Sequence, residues 1–361
     1  MKSPLLLLLP WLLLPCRAQE TRPGGELEAL ARLVPAALEK ASPWLVTVQV
    51  YGGTRAALLP PKEETKKGKG GGPGRPVAPG AAGFPLARGA TTGVIVSPDG
   101  RILTSLWSFQ LRPVAVVVGL PDGRRFTART LGRDFSRGLA LLKIDARDLP
   151  TPRPAPEESY RPGAWVLALG RVFGPKTPQV SLGIVSAAGR IGGKAVQTDA
   201  SVSPANYGGA LVDLEGRILG VLVPLSPAGY AAGIRWYDSG IGFAADWRGI
   251  LRVLPGLTRG EEPRPGFLGI STSPADLGPG AEVAGVTGPA ARAGLKKGDR
   301  ILAISGEKIR NPFHLKRILA SLYAGDRVEL QVRRGKRTLP LEVLLGRRPG
   351  AEEAGGSLRR K

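Results

Sequence analysis

One cysteine and one histidine occur in 361 residues, and aromatic residues make up only 6%. The cysteine, Cys16, lies inside an apolar leader, MKSPLLLLLPWLLLPCRA, which starts with Lys2 and ends on the small residue Ala18. That arrangement predicts a secretory signal peptide over residues 1–18, cleaved between Ala18 and Gln19. Pro10 and Pro15 break the stretch, which is too short for a stable membrane span, so no span is expected after cleavage. Losing Cys16 leaves the mature chain without a thiol, which excludes disulfides and thiolate metal sites and leaves stability to packing. The sole histidine, His314, cannot furnish an imidazole-rich centre, so no metal and no cofactor is expected. The expected location is exported, in the periplasm or cell envelope or outside the cell.

Basic residues, glycine and proline are abundant. Lys and Arg number 51 against 29 acids, a formal charge of +22 that falls to +20 once Lys2 and Arg17 leave. The basic residues are scattered through turns and strand ends with few aromatics between them, which favours a generally arginine-rich surface over a nucleic-acid interface. Gly (51) and Pro (34) cluster in punctuated runs without a three-residue period, which predicts many turns and short strands.

Along the chain, residues 19–43 read as a helical segment. In ELEALARLVPAALEK, Leu27, Leu30, Leu33, Val34, Ala37 and Leu38 recur at helical spacing, with Pro35 as a kink. Residues 52–89 are rich in Gly, Pro and Lys and bury too little apolar surface to offset ordering entropy, so a flexible loop is expected. From 91 to 243 short apolar runs recur (TTGVIV, RILT, VAVVVG, LALLKI, WVLALG, VSLGIVSA, AVQTD, ALVD, RILGVLV, GIGFA), several separated by turn pairs such as Asp99-Gly100, Asp122-Gly123 and Glu215-Gly216. This is the pattern of a β-barrel or sandwich. A Pro/Arg-rich linker is expected at 255–265, and beyond it strands alternate with a helix from Pro312 to Leu322 that carries Leu315, Ile318, Leu319 and Leu322 on one face. The tail, 347–361, is expected to be disordered.

Three segments resemble the catalytic blocks of the HtrA family, trypsin-like serine proteases joined to PDZ domains. TTGVIVSPDGRILTSLWSF is similar to the block that carries the general-base histidine, and Trp107 occupies that position. GRDFSRGLALLKID is similar to the block of the orienting aspartate, a position held by Gly138. TDASVSPANYGGALVDLEGRILGV is similar to the nucleophile block, with Tyr207 in place of serine and Ala205 in place of the oxyanion-hole glycine. An indole has no basic nitrogen near neutral pH, glycine has no carboxylate, and a phenol is a poor substitute for a serine hydroxyl. The resemblance therefore implies a mainly β chain: a trypsin-like double β-barrel over 44–254, with the loop at 52–89, followed by one PDZ-like α/β domain over 266–346. The catalytic positions would be degenerate.

The C-terminal resemblance is to a PDZ domain. Phe267, Leu268, Gly269 and Ile270 match its carboxylate-binding loop, and GPAARAGLKKGDRILAISGEKI (Gly288 to Ile309) matches its most position-specific block. Backbone N–H groups of such a loop hold a peptide's terminal carboxylate while the peptide adds a strand beside a helix. The expectation is thus an exported pseudoprotease, not an enzyme, that binds peptides or protein C-termini as a scaffold or regulator in envelope protein quality control. The resemblance adds active HtrA-like relatives as partners and a homotrimer. Two other readings stay open: an active serine endopeptidase with a relocated site, for which Ser201 and Ser203 are the nearby hydroxyls, and a basic adaptor for anionic surfaces. His314, at the start of the C-terminal helix, is expected to be exposed and is given no role.

Overall fold

The structure, a computed structural model, describes residues 24–52, 90–110, 112–172, 177–226, 239–273, 276 and 278–348. The expected signal peptide, nearly all of the 52–89 loop and the tail past 348 lie outside these residues.

Helix α1 (Gly24–Ala41) contains Pro35 and turns Val34, Ala37, Leu38 and Ala41 toward the core, the i, i+3, i+4, i+7 spacing of one helical face. Leu33, assigned to that face from the sequence, is instead 40% exposed. It sits one residue off the stripe.

Seven antiparallel strands follow: β1 (Leu45–Tyr51), β2 (Ala90–Ser97), β3 (Arg101–Ser105), β4 (Ala115–Gly119), β5 (Arg125–Thr127), β6 (Arg129–Asp134) and β7 (Leu139–Lys143). They form one sheet in the order β5-β4-β1-β2-β3-β7-β6. Its two edges, β5 and β6, are separated in the chain by Ala128 alone, whose N–H donates to Val116 O (2.8 Å). The sheet must therefore curl until its edges meet, and it keeps a barrel-like form without a closing ladder. Of the two expected barrels, only the second closes completely. It comprises β8 (Trp165–Gly170), β9 (Gln179–Gly189), β10 (Ala195–Thr198), β11 (Ala210–Asp213), β12 (Ile218–Leu222) and β13 (Gly242–Asp246), in the order β10-β13-β12-β11-β8-β9. A one-turn segment, α2 (Arg190–Gly193), joins β9 to β10. The three turn pairs read from the sequence lie where expected, with Gly100, Gly123 and Gly216 all at positive φ.

Helix α3 (Trp247–Thr258) was not anticipated, and it carries the first residues of the stretch expected as linker. Asp246 caps it by accepting from Arg248 N–H, and Ile250, Val253 and Leu257 are buried at helical spacing. Pro255 sits inside because burial of that stripe, about 1.5–3 kcal/mol per large aliphatic side chain, outweighs one lost backbone hydrogen bond.

The C-terminal unit is built from β14 (Ile270–Thr272), β15 (Ala281–Val286), α4 (Gly288–Arg292), β16 (Arg300–Ile304), β17 (Glu307–Lys308), α5 (Pro312–Ser321), β18 (Arg327–Arg334) and β19 (Arg337–Leu344). Its sheet runs β14-β15-β16-β18-β19, with β17 paired to β16. A separate core gathers Leu268, Val283, Leu295, Ile301, Leu315 and Leu330, among others, and Ile318, Leu319 and Leu322 pack against it as the helical spacing predicted.

The unit is not an isolated bead. Its Tyr323 joins the apolar cluster of the first sheet and α3, and the Arg137 guanidinium lies 5.1 Å from the Tyr323 ring centroid. Arg137 is buried and bound to the buried carboxylate of Asp134 (3.1 Å), and burial pulls its affinity for the proton down. Removing one member of such a pair strands the other in a low-dielectric interior. The Arg137→Ala variant is accordingly expected to lose about 3–5 kcal/mol in denaturant-induced unfolding. An Asp134→Asn, Arg137→Met double variant should recover much of that loss, measured by tryptophan fluorescence.

Candidate functional site

Between the curled sheet and the closed barrel, the polypeptide from Ser203 to Gly209 makes a tight turn. Asn206, nearly fully buried, organises it by accepting from Ser203 N–H (2.8 Å) and donating from Nδ2 to Ser201 O (2.9 Å). Tyr207 O then accepts from Thr92 N–H (3.3 Å) and from Thr91 Oγ1 of the other sheet. Two glycines follow because nothing larger passes. A Cβ on Gly208, whose φ is +80°, would stand 2.1 Å from Thr92 O, and one on Gly209 would stand 2.0 Å from Leu169 O.

The structure brings the three aligned positions together. Trp107 lies in the short 3-10 helix Leu106–Phe109 at the end of β3, with Ser105 as cap: Trp107 N–H donates to Ser105 Oγ (3.2 Å). Gly138, at φ +68°, accepts from Leu106 N–H (2.7 Å), so the second position touches the helix of the first through its carbonyl. The Trp107 and Tyr207 rings meet edge to face, centroids 6.2 Å apart at 73°. Both rings are buried, at 8% and 2% exposure, and occupy the space between the sheets. The Tyr207 N–H donates to Ser203 O (3.1 Å), so this amide is turned into its own loop and not toward the cleft. Ala205, the remaining position of that set, is half-buried in the same turn.

A lysine can activate a serine, and Lys143 and Lys194 lie in the same domain as Ser201 and Ser203. Lys143 Nζ is taken by the carbonyls of Asp99 and Ile144 (2.5 and 2.7 Å). Burial, together with the neighbouring charge of Arg137, lowers the proton affinity of Lys194, while Asp134 acts in the opposite sense. Among the described residues, neither makes a hydrogen bond to Ser201 or Ser203.

In the C-terminal unit, the loop at 267–270 has one donor already committed. Phe267 N–H donates to Gly346 O (2.9 Å), and Gly346 returns the bond (3.0 Å). Among the described residues no backbone carbonyl takes the N–H of Leu268 or Gly269. Gly269 has φ +86°, and a Cβ there would meet Thr287 O at 2.1 Å, so glycine is required. Leu268 is buried and Ile270 partly buried against the unit's core.

The position-specific block following the loop is explained by Asp299. Its carboxylate accepts from Lys296 N–H (2.8 Å) and from Arg334 Nε and Nη2 (2.8 and 2.7 Å), while Arg334 also reaches Gly294 O. His314 is not exposed as expected. The Asn311 side chain caps α5 on His314 N–H (2.8 Å), the imidazole Nδ1 accepts from Arg310 N–H (3.3 Å), and Nε2 lies 3.0 Å from Glu307 Oε1. With Nδ1 accepting, Nε2 carries the proton and donates to Glu307. The side chain is used structurally, at the corner between β17 and α5.

Family models for a trypsin-like peptidase domain and a PDZ domain match residues 91–221 and 266–345. A probable periplasmic serine endoprotease, DegP-like, of Halomonas elongata is 32% identical over 303 residues, covering 78% of this chain and 62% of that one. The counterpart of the same name in Chlamydia trachomatis is 31% identical over 278 residues, covering 72% and 54%. The chain thus spans little more than half the length of these relatives. Among solved structures, the HtrA-type protease AlgW with a decapeptide superposes with a TM-score of 0.59 at 28% identity, covering 88% of this chain and 99% of that one. The serine endoprotease from Yersinia pestis gives 0.56 at 27%, covering 87% and 97%. These names correct one expectation. The substitutions at 107, 138 and 207 led to the expectation that the chain is not an enzyme, whereas its relatives are named serine endoproteases and point to a protease. The physical reason is one of scope: replaced groups exclude one mechanism at one place, not hydrolysis as such. Among the described residues no helix is long and apolar enough to cross a membrane.

Two measurements test the geometry. Truncating Trp107 to Ala should cost about 3–5 kcal/mol, and a double-mutant cycle with Tyr207→Ala should return a coupling of about 0.5–1.5 kcal/mol for the edge-to-face pair. The Asp299 carboxyl is held below its ordinary value first by the Arg334 hydrogen bonds, with burial opposing and the Lys296 N–H assisting. A depressed folded-state value adds stability above the ordinary aspartate range near pH 4, and that stability is lost as pH falls through the lower value. Asp299→Asn should therefore be less stable at neutral pH and show a shallower acid decline of Tm than the parent.

Proposed function

We propose that this chain, which belongs to the HtrA family of trypsin-like, PDZ-containing serine proteases, is an exported protein that captures peptides or protein C-termini in the cell envelope through its PDZ domain. The observation that carries this reading is the 267–270 loop. The Leu268 and Gly269 N–H groups are without backbone acceptors among the described residues, Gly269 admits no side chain, and β14 begins at once after the loop. Two adjacent amides suit a terminal carboxylate, and β14, the edge strand of the unit's sheet, offers the place on which an added strand would lie. The periplasmic naming of the relatives supports the location, and the peptide-bound AlgW structures support the ligand class. Fluorescence anisotropy with a labelled peptide ending in an apolar residue should show saturable binding, weakened about tenfold or more when the C-terminus is amidated. Equal affinity for acid and amide would remove the carboxylate reading.

A second reading, endopeptidase activity, is favoured by the names of the relatives. In this chain it requires a nucleophile other than the residue at 207, because we take Trp107, Gly138, Tyr207 and Ala205 as the degenerate counterparts of the triad and oxyanion positions. Ser203 is the stronger candidate of the two nearby hydroxyls: it is half-buried in the turn, whereas Ser201 is exposed. Casein turnover that survives Tyr207→Phe and disappears in Ser203→Ala is the expected signature. Turnover lost in Tyr207→Phe would return the chemistry to the usual position. Absence of turnover in the parent would leave peptide capture standing alone.

A further inference from the structure

A cavity of about 270 Å³ opens on the curled sheet, lined by Phe109, Arg112, Pro113, Val116, Thr130 and Arg133. It begins two residues past Trp107, on the same short helix, and neither the triad positions nor the PDZ loop contributes to it. Its floor is apolar, since Phe109 and Val116 are buried, and its two charged lining residues are both arginines. The acids among this sheet's described residues are already engaged: Asp99 with Arg101 (3.1 Å), Asp122 with Arg124 (2.7 Å) and Asp134 with Arg137 (3.1 Å). Neither Arg112 nor Arg133 has an ion-pair partner among the described residues. Arg112 also holds a left-handed backbone, φ +50°, unusual for a side chain of this kind. Two bonds fix that conformation, Arg112 N–H to Phe109 O (3.1 Å) and Val114 N–H to Tyr51 O (2.9 Å), so the loop is preorganised. Val114, at its outer end, is 87% exposed.

We infer that this cavity is a binding pocket for an acidic side chain of an extended peptide, with an apolar neighbour of that side chain resting on the exposed Val114. Two guanidinium groups over an apolar floor match a carboxylate on a short aliphatic stem. The volume lies just under the range of pockets that take drug-sized ligands, roughly 300–1,000 Å³, and so suits one side chain. The site is independent of the carboxylate loop at 267–270 and extends peptide recognition into the protease-like unit.

The test uses the mature full-length chain and a short labelled peptide with a Glu-Leu pair at its centre, acetylated and amidated. Amidation removes the handle on which C-terminal capture depends, so the two readings fail separately. Saturable anisotropy is expected, weakened about tenfold or more when the peptide glutamate becomes glutamine and equally in Arg112→Gln or Arg133→Gln. Arg112 is exposed, so Arg112→Glu should fold like the parent by thermal unfolding and should shift preference to a Lys-Leu peptide; it decides the matter if Arg133→Gln unfolds. Equal binding of the Glu and Gln peptides, or an arginine dependence seen with anionic phospholipid vesicles or polyphosphate but not with the peptide, would overturn the assignment.

Discussion

The close approach of backbone to backbone at 207–209 is the constraint on which the protease-like unit depends. Tyr207 O is bound by Thr91 and Thr92 of one sheet, Gly208 N–H by Leu222 O of the other, and the two glycines leave no space between them. All of them engage the main chain of the turn and are indifferent to the side chain at 207. The turn can therefore carry a large ring at 207, provided something makes room. Here the room is shared with a second ring, Trp107, and the cleft side of the turn becomes part of the packed interior.

The same logic separates contacts made by the main chain from those made by side chains. Gly138 holds a left-handed backbone, and its carbonyl contacts the Trp107 helix, so these two segments are fixed against each other through the main chain. Next to it, Arg137 extends through the interior to Tyr323 of the C-terminal unit. One turn between β6 and β7 therefore meets the cleft through a carbonyl and the PDZ domain through a guanidinium. The C-terminal unit is seated further by α2, where a Cβ on Gly192 would come within 2.7 Å of the Ala320 side chain.

How far the molecule was legible in its sequence depended on the kind of signal. Apolar runs bounded by turn pairs corresponded to strands throughout, because alternating burial leaves a period that composition cannot hide. The short strands β5 and β6 were missed: RFT and RTLGRD are dominated by polar and basic residues and lie at sheet edges, where half the backbone faces solvent. Helix α3 was missed because Gly249, Pro255 and Gly256 read as breakers, whereas Trp247, Ile250, Val253 and Leu257 supplied a stripe that outweighed them. The buried state of His314 and of Arg137 had no local signature, since each depends on partners set by the fold. Motif spacing singled out Trp107, Gly138 and Tyr207, and the structure brings these three residues of distant segments together. What spacing could not supply was Asn206, whose side chain ties the turn, or the inward direction of the Tyr207 amide.

Helix α1 bears on how the chain reaches this state. Its Ala37 lies under the Gly216 turn of the closed barrel, and just beyond it Ser42 receives the buried Arg171 guanidinium, 129 residues away in sequence. A chain delivered N-terminus first thus presents early a segment whose partners emerge late. Until residues beyond Gly216 arrive, the stripe of Val34, Ala37, Leu38 and Ala41 has no barrel to cover it. High contact order of this kind slows folding and prolongs exposure of apolar surface. The helix that completes the fold thus keeps its apolar stripe uncovered until late in synthesis.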